Sequence, residues 1–267
     1  MKIALIQMTS VLDYKSNLRK IESWLQEAQS KNVSHVFLPE SFYSMSNGLD
    51  ITPYFLEPGN FHEANLTSLA KKYEIALWGG SCIYKIHDQY VNRALLINAK
   101  GKIENFYDKV HLFYFNTNAT GQVSHDEASK YQAGKSLTLC TTGKDWTLGA
   151  SICYDVRFPE LYRKYSIAGA NVMTISSAFT VPTGQAHWHT LVKARAIENL
   201  SYVIACAQWG KHNERISTFG HSLVVSPWGE IEVDMQEGEG LQTCELNIQK
   251  VRDARSKLSN LWSNFIC

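Results

Sequence analysis

The sequence lacks an excess of charge of either sign and lacks long hydrophobic runs. Its 267 residues include 26 lysines and arginines against 25 aspartates and glutamates, so the net charge is +1. A nearly neutral chain does not carry the basic surface with which proteins bind nucleic acid or anionic lipid. No apolar run reaches the length of about 18 residues that suggests a membrane-spanning helix. We therefore expect neither nucleic-acid nor membrane partners.

Paired-cysteine motifs are absent as well. This absence favours a reducing compartment over a disulfide framework or a zinc site. His187 and His189 stand without further metal-ligand spacing, so we expect no metal. The apolar run at residues 1–7 is too short for a signal peptide and predicts a first strand, which indicates a cytoplasmic protein. The six scattered cysteines are Cys82, Cys140, Cys153, Cys206, Cys244 and Cys267.

Strands and helices alternate along the sequence. Residues 2–8 alternate and then run apolar, residues 35–40 form a second predicted strand that ends at Pro39-Glu40, and between them Asp13 can cap a helix with one apolar face. This order predicts a βαβ unit with parallel strands. No linker or repeat interrupts the alternation, so we predict one α/β domain with two sheets packed face to face and helices outside. Further strands are predicted over 74–84, 91–98, 102–107, 137–140, 146–152, 171–176 and 202–207, and an antiparallel set of strands over 219–226, 231–234 and 241–246. Further helices are predicted over 62–72, 160–168, 187–200 and after Asn247. A long loop is predicted over 108–135.

Cys153 stands where a predicted strand turns into a helix. The strand over 146–152 ends at this residue, and Pro159 then fits the first turn of the following helix. Such a turn exposes a nucleophile above a sheet, and a nearby helix N-terminus favours the thiolate. The alternative is a buried structural cysteine, the usual fate of a free thiol.

Two further residues share this kind of position. Glu40 ends the second predicted strand, and Lys109 follows the strand over 102–107. Alone, each suits a solvated surface side chain. Ligands of open α/β sheets bind outside the carboxyl ends of strands, and with Cys153 these residues supply a base, a cation and a nucleophile. That set is what acyl transfer requires.

Three segments carry a resemblance to a known family. Residues 38–40 (Leu-Pro-Glu), 108–113 (Asp-Lys-Val-His-Leu-Phe) and 152–161 (Ile-Cys-Tyr-Asp-Val-Arg-Phe-Pro-Glu-Leu) resemble, in order and spacing, the signatures of the nitrilase, or carbon–nitrogen hydrolase, superfamily. The resemblance implies an α/β four-layer αββα sandwich, a Glu-Lys-Cys site, no cofactor and homo-oligomers built by helix packing. It covers nearly the whole chain, so we expect a single domain over 1–267.

The resemblance also implies roles for individual residues. Cys153 becomes the nucleophile, Glu40 the general base, and Lys109 the cation beside the oxyanion, together with the backbone N–H of Tyr154. Glu127 corresponds to a second active-site glutamate. For this position Asp126 is the alternative residue, and a solvated loop carboxylate is the alternative interpretation.

The residues after the nucleophile indicate a branch of the family. Tyr154 and Asp155 replace the Trp-Glu of strict nitrilases, which resembles the amidases. Residues 177–188 and 193–199 are similar to ω-amidases, which act on 2-oxoglutaramate, and to deaminated glutathione amidases. Residues 202–229 resemble the second group more closely. The alternatives are an ω-amidase or a catalytically inactive family member that acts as a binding partner.

A deaminated glutathione molecule carries a carboxylate at each end, which suits cationic side chains. We expect Arg157 to bind one end, although an ion pair with a nearby acid is an equal alternative. We expect Lys211 and Arg215 to bind the other end, and Phe179 and Thr180 to line the pocket between them.

The C-terminal segment departs from the family pattern. Residues 247–267 comprise a predicted helix and a short apolar tail that contains Leu261, Trp262 and Phe265. Apolar side chains of this size need a cover. We therefore expect the tail to lie at a subunit interface of a homodimer or larger homo-oligomer.

Overall fold

The computed structural model describes residues 1–116 and 123–259. The helices are α1 (Tyr14–Ser30), α2 (Phe61–Tyr73), α3 (Pro159–Ile167), α4 (Val181–Asn199) and α5 (Ile248–Lys257). The strands are β1 (Lys2–Gln7), β2 (His35–Leu38), β3 (Ala76–Gly79), β4 (Ser81–Ile86), β5 (Gln89–Ile97), β6 (Ile103–Asp108), β7 (Tyr114–Asn116), β8 (Val123–Asp126), β9 (Leu139–Thr142), β10 (Trp146–Ile152), β11 (Val172–Ser177), β12 (Tyr202–Ala207), β13 (Trp209–Lys211), β14 (Ser217–Phe219), β15 (Leu223–Val225), β16 (Ile231–Asp234) and β17 (Gly240–Glu245).

Two large sheets form the centre of the described residues. The first has the strand order β17-β1-β2-β3-β5-β4, with β6 paired to β5. The second has the order β16-β15-β12-β11-β10-β9. Strands β1, β2 and β3 are mutually parallel, as are β10, β11 and β12. The predicted βαβ unit at the start of the chain is therefore confirmed.

Alternating side chains of the strands separate the layers. Ile3 and Leu5 of β1 share a core with Ile175 of the second sheet. Ile6, on the opposite face of β1, packs in a different core with Leu25 of α1. This alternation follows from the two-residue period of a strand. With α3 and α4 packed on the second sheet, the four layers are αββα, as predicted.

Side-chain caps fix the predicted helix starts. The Asp13 carboxylate accepts the backbone N–H groups of Lys15 and Ser16 at the start of α1. Asn247 does the same for Gln249 at the start of α5. Helix α4 begins at Val181, six residues before the predicted start, because Pro182 fits its first turn. None of the helices within the described ranges is both long and apolar enough to cross a bilayer.

Several strand predictions need correction. The strand predicted over 74–84 is two strands, because Gly79 and Gly80 both have positive φ (68° and 47°) and end β3. A Cβ atom on Gly80 would lie 2.5 Å from the Leu38 Cβ, so only glycine fits there. The predicted 219–226 strand is likewise divided into β14 and β15.

The pairing predicted for the final strand was wrong. Strand β17 does not join β15 and β16 but pairs antiparallel with β1, so it belongs to the first sheet. The register places Lys2 opposite Glu245, and the Leu246 N–H donates to the Met1 carbonyl (2.9 Å). This long-range pairing leaves no local signal in the sequence.

The segment predicted as a long loop contains regular structure. Strands β7 and β8 pair antiparallel, and a short 3₁₀ helix follows at Glu127–Ser129. The tail residues Leu261, Trp262 and Phe265 lie outside the described residues.

Candidate active site

Glu40, Lys109 and Cys153 each follow the carboxyl end of a strand. Glu40 lies two residues after β2, Lys109 directly after β6, and Cys153 directly after β10. All three are buried, with exposed fractions of 5%, 1% and 9%. The first two come from one sheet and the third from the other, so the face-to-face packing brings them to one cavity.

A buried lysine joins two carboxylates at this site. The Lys109 Nζ donates to Glu40 Oε1 (2.9 Å) and also lies 2.9 Å from Glu127 Oε2. Glu40 Oε1 accepts a second hydrogen bond from the Asn92 amide (2.8 Å), and Glu127 Oε2 accepts one from the Phe113 N–H (2.7 Å). These contacts fix both carboxylates around one cation.

The structure distinguishes Glu127 from Asp126. Both residues line the cavity. However, the Asp126 carboxylate accepts the Ala128 N–H (3.0 Å) and thereby caps the 3₁₀ helix. Only Glu127 of the two contacts Lys109 among the interactions of the described residues. The geometry therefore favours Glu127 as the second glutamate.

Charge and burial oppose each other at the lysine and at Glu127. Burial alone would lower the pKa of Lys109, but the charges of Glu127 and Glu40 outweigh it and raise that pKa well above its usual value. Burial raises the pKa of Glu127, and Lys109 offsets only part of this effect. Lys109 therefore stays charged between the two carboxylates.

Cys153 has an unusual backbone conformation and a buried thiol. Its φ is 49°, in the left-handed region, where the strand turns into a 3₁₀ helix at Cys153–Arg157. Burial raises the pKa of the Cys153 thiol, Glu40 raises it further, and Lys109 only partly opposes them. Burial and the Glu40 charge thus oppose the thiolate, whose stabilisation by a nearby helix N-terminus stays a prediction. A base must remove the proton before the sulfur can attack.

The fully buried Asp155 connects the Cys153 turn to the segment around Lys109. Its Oδ2 accepts the Ile152 N–H (2.9 Å) and the Tyr107 hydroxyl (2.8 Å). Its Oδ1 accepts the His111 N–H (3.0 Å) and lies 2.7 Å from His111 Nδ1. The His111 ring stacks on Phe158, 3.6 Å between centroids. One carboxylate thus holds together the two segments that carry the nucleophile and the lysine.

These residues open into a cavity of about 380 Å³. The structure brings the predicted Arg157, Phe179, Thr180 and Arg215 to its wall, together with Tyr154. Lys211 does not line the cavity; its ammonium is exposed and pairs with Glu214 at 3.1 Å. The cavity lining includes Glu40, Ser44, Asn92, Lys109, Asp126, Glu127, Lys130, Tyr131, Cys153, Tyr154, Arg157, Phe179, Thr180, Glu214, Arg215 and Ser217.

Further cationic side chains line the cavity near the nucleophile and elsewhere on its wall. The Arg157 guanidinium lies 5.8 Å from the Tyr154 ring centroid and 5.4 Å from that of Phe179. These rings orient the guanidinium through cation–π contacts. Lys130, which the sequence analysis missed, donates to the Gly48 carbonyl, and burial lowers the pKa of its ammonium. An anionic substrate group would therefore meet several cations.

Asn92 was missed too, although the sequence held a signal for it. It is followed by Arg93 inside an otherwise apolar strand segment, Val91–Ile97, and a polar pair in such a strand needs a buried partner. Asn92 binds Glu40, and Arg93 pairs with Asp108 at 2.6 Å.

Fold and sequence together define the class. The family model described as carbon-nitrogen hydrolase matches residues 2–256, and the chain belongs to this family of enzymes. It is 35% identical to the deaminated glutathione amidase of Synechocystis sp. over 97% of this chain and 96% of that protein. It is 37% identical to the deaminated glutathione amidase of Dictyostelium discoideum over 92% and 91%. The predicted similarity to that branch is confirmed.

A solved structure supports the same assignment. Nit3 of Saccharomyces cerevisiae, a member of branch 10 of the nitrilase superfamily, superposes with a TM-score of 0.85 at 30% identity. The match covers 97% of this chain and 94% of that one.

Proposed function

We propose that the chain is a cysteine-dependent amidase that hydrolyses deaminated glutathione to 2-oxoglutarate and cysteinylglycine. The observation that carries this proposal is the contact of buried Lys109 with Glu40 and Glu127 in one cavity with Cys153. The names of the relatives supply the substrate. The predicted ω-amidase activity on 2-oxoglutaramate is the alternative.

In the proposed acylation step, Glu40 removes the proton of Cys153 and the sulfur attacks the amide carbonyl. A base is required because burial keeps the pKa of this thiol above its usual value. The developing oxyanion is stabilised by the Lys109 ammonium and the Tyr154 N–H. Protonated Glu40 then gives its proton to the departing amine, and a thioester to Cys153 remains.

In the proposed deacylation step, a water molecule replaces the amine beside Glu40. Glu40 takes a proton from this water as the oxygen attacks the thioester carbonyl. The carbon–sulfur bond breaks, the thiol recovers its proton, and the acid product leaves. Glu127 holds the Lys109 ammonium in place through both steps, since it contacts the same nitrogen.

We propose that the two carboxylate ends of the substrate bind different cations. Arg157 lies beside Tyr154, next to the nucleophile, and Arg215 is also part of the cavity wall. Phe179 and Thr180 line the space between them. Lys211 does not line the cavity, and its ammonium pairs with Glu214, so we expect it to contribute less than Arg215.

The test is a comparison of kcat/KM for deaminated glutathione, 2-oxoglutaramate, an aliphatic nitrile and a carbamoyl amino acid. We expect the first substrate to be preferred. A preference of about tenfold or more for 2-oxoglutaramate would assign the ω-amidase activity instead. Turnover of no substrate, with Cys153 no more reactive toward iodoacetamide than the other cysteines, would indicate an inactive binding protein.

Variants at the cavity wall separate the two substrate ends. Arg215→Gln should raise KM for deaminated glutathione and leave KM for 2-oxoglutaramate unchanged, since the smaller amide lacks the distant carboxylate. Lys211→Gln is the matched control with the smaller expected effect. Equal effects of both variants on both substrates would contradict the assignment of Arg215.

The thioester itself is detectable. Mass spectrometry of the acid-quenched enzyme should find an acyl adduct on the peptide that contains Cys153. Cys153→Ala should lack both the adduct and turnover. An adduct on another residue would refute the proposed nucleophile.

We further propose that residues 1–267 form a single cytoplasmic domain that assembles as a homodimer or larger oligomer, with residues 247–267 at the interface. Exposed apolar side chains support assembly: Ile167, Ile197 and Trp228 have exposed fractions of 55%, 46% and 54%. Sedimentation velocity of the full chain, and of a chain ending at 259, tests this assembly. A monomeric full chain would contradict it.

A further inference from the structure

A group of metal-ligating side chains lies apart from the catalytic cavity. His189 belongs to α4, His221 follows β14, and Asp234 ends β16. None of the three lines the cavity. They come from a helix, a connection and a strand, and His221 stands 32 positions after His189, so no motif spacing revealed them.

The three side chains converge on one point. His189 Nε2 lies 3.0 Å from Asp234 Oδ2, and His221 Nδ1 lies 2.9 Å from Asp234 Oδ1. One nitrogen from each ring and a carboxylate oxygen lie within 4.8 Å of one another. A tetrahedral zinc ion with bonds of about 2.0–2.2 Å holds its ligand atoms about 3.5 Å apart. The side chains are therefore already near the spacing that an ion requires.

Neighbouring groups hold two of these side chains in position. Asp234 Oδ1 also accepts the Gln236 N–H (2.9 Å). His221 has a φ of 56°, and this left-handed conformation is fixed on both sides. Its N–H donates to the Gln236 carbonyl (2.9 Å), and its carbonyl accepts the Nε1–H of the fully buried Trp188 (2.7 Å). The last two contacts fix the His221 backbone, and the first is a hydrogen bond of the kind that commonly supports a metal-ligating carboxylate.

The group is open to solvent and has the chemistry of a transition-metal site. The side chains of His189, His221 and Asp234 are 34%, 20% and 24% exposed. An ion can therefore enter from solution, and water can supply a fourth ligand. Two imidazoles and one carboxylate favour zinc and similar transition-metal ions over magnesium or calcium.

We propose that His189, His221 and Asp234 form a binding site for one divalent transition-metal ion, with zinc as the best fit. The ion connects α4 to the strands β14–β16. Thr183 in the first turn of α4 and Ser217 of β14 both line the catalytic cavity. The proposed role is thus to stabilise one wall of that cavity, and it is independent of the substrate assigned above.

The experiment is a zinc titration of the full-length protein in competition with a chromophoric chelator. The variants are His189→Gln, His221→Asn and Asp234→Asn. His87→Asn is the matched control, because His87 is also a histidine with positive φ (54°) and is exposed outside the group. Asparagine tolerates this backbone conformation better than most residues.

We expect the wild type and His87→Asn to bind one equivalent of zinc, and the other three variants to bind at least about tenfold more weakly. Zinc should raise the melting temperature of the first two proteins only. His189→Gln changes a partly exposed helix position, so its melting temperature without zinc should match that of the wild type.

Two outcomes would overturn the proposal. First, equal zinc affinity in the wild type and in His189→Gln would place the ion elsewhere. In that case a thiolate-to-metal charge-transfer band in the cobalt-substituted protein would identify a cysteine as its ligand. A wild type that binds no zinc would show that the three side chains form only a hydrogen-bonded group.

Discussion

Among substitutions of residues outside the cavity, we expect Asp155→Asn to lower the free energy of unfolding the most. The carboxylate is fully buried and accepts four hydrogen bonds, two on each oxygen. Asparagine has almost the same shape but carries one oxygen and one NH₂ group. Its single oxygen can therefore accept hydrogen bonds from only one of the two donor pairs, either those of His111 or those of Ile152 and Tyr107.

The magnitude follows from the donors that lose their acceptor. If the amide oxygen stays with His111, the NH₂ group faces the Ile152 N–H, donor against donor. An unsatisfied buried N–H costs about 1–3 kcal/mol, and losing the charge on the remaining hydrogen bonds costs a similar amount. We expect the free energy of unfolding to fall by about 3–5 kcal/mol, the usual cost of removing one partner from a buried charged group.

Urea denaturation of the wild type and Asp155→Asn measures this change. Tyr107→Phe is the matched control, because it removes only one of the four hydrogen bonds and should cost about 1 kcal/mol. Asp155 positions the groups beside Cys153 and Lys109, so kcat of folded Asp155→Asn should fall while KM changes little. A loss of stability no larger than that of Tyr107→Phe would refute the reasoning.

Three further predictions concern the site and the pH dependence of stability. Lys109→Met should lower kcat at least about a hundredfold, as expected for loss of an oxyanion donor; steady-state kinetics with a residual rate near wild type would contradict this role. Glu40→Gln should slow alkylation of Cys153 by iodoacetamide, because the thiol loses its base; an unchanged rate across pH would exclude Glu40 as that base. Burial lowers the pKa of His35 from 6.5 to about 4. The unfolded chain therefore binds more protons between these values, so stability is complete above about pH 6.5 and falls by roughly 3 kcal/mol toward pH 4. His35→Gln should flatten this part of the pH profile of urea denaturation, and an unchanged slope would show that other groups cause it.

The sequence predicted the parts of the site that depend on local order. Glu40, Lys109 and Cys153 each follow the end of a strand within two residues, and strand ends are visible as breaks in apolar runs. Their common position at the carboxyl ends of strands then indicates a common site. The roles that we assign to these residues remain proposals that the experiments above test.

Other features depend on contacts between distant segments, and the sequence could not predict them. The pairing of β17 with β1 joins the two ends of the described chain. Lys130 lines the cavity, whereas Lys211, at the end of β13, does not. His189 and His221 were likewise brought together only by the fold.

Because the reactive groups come from two different sheets, activity can appear only late in folding. Neither sheet alone holds both Cys153 and the Glu40–Lys109 pair. The first sheet also lacks an edge strand until residues 240–245 have been synthesised, because β17 pairs with β1. The site therefore cannot be assembled in a newly made chain before both sheets have been synthesised and have packed together. Recovery of hydrolysis in a refolding experiment would accordingly lag behind recovery of secondary structure. The rate at which activity returns would then report the rate at which the two sheets pack together.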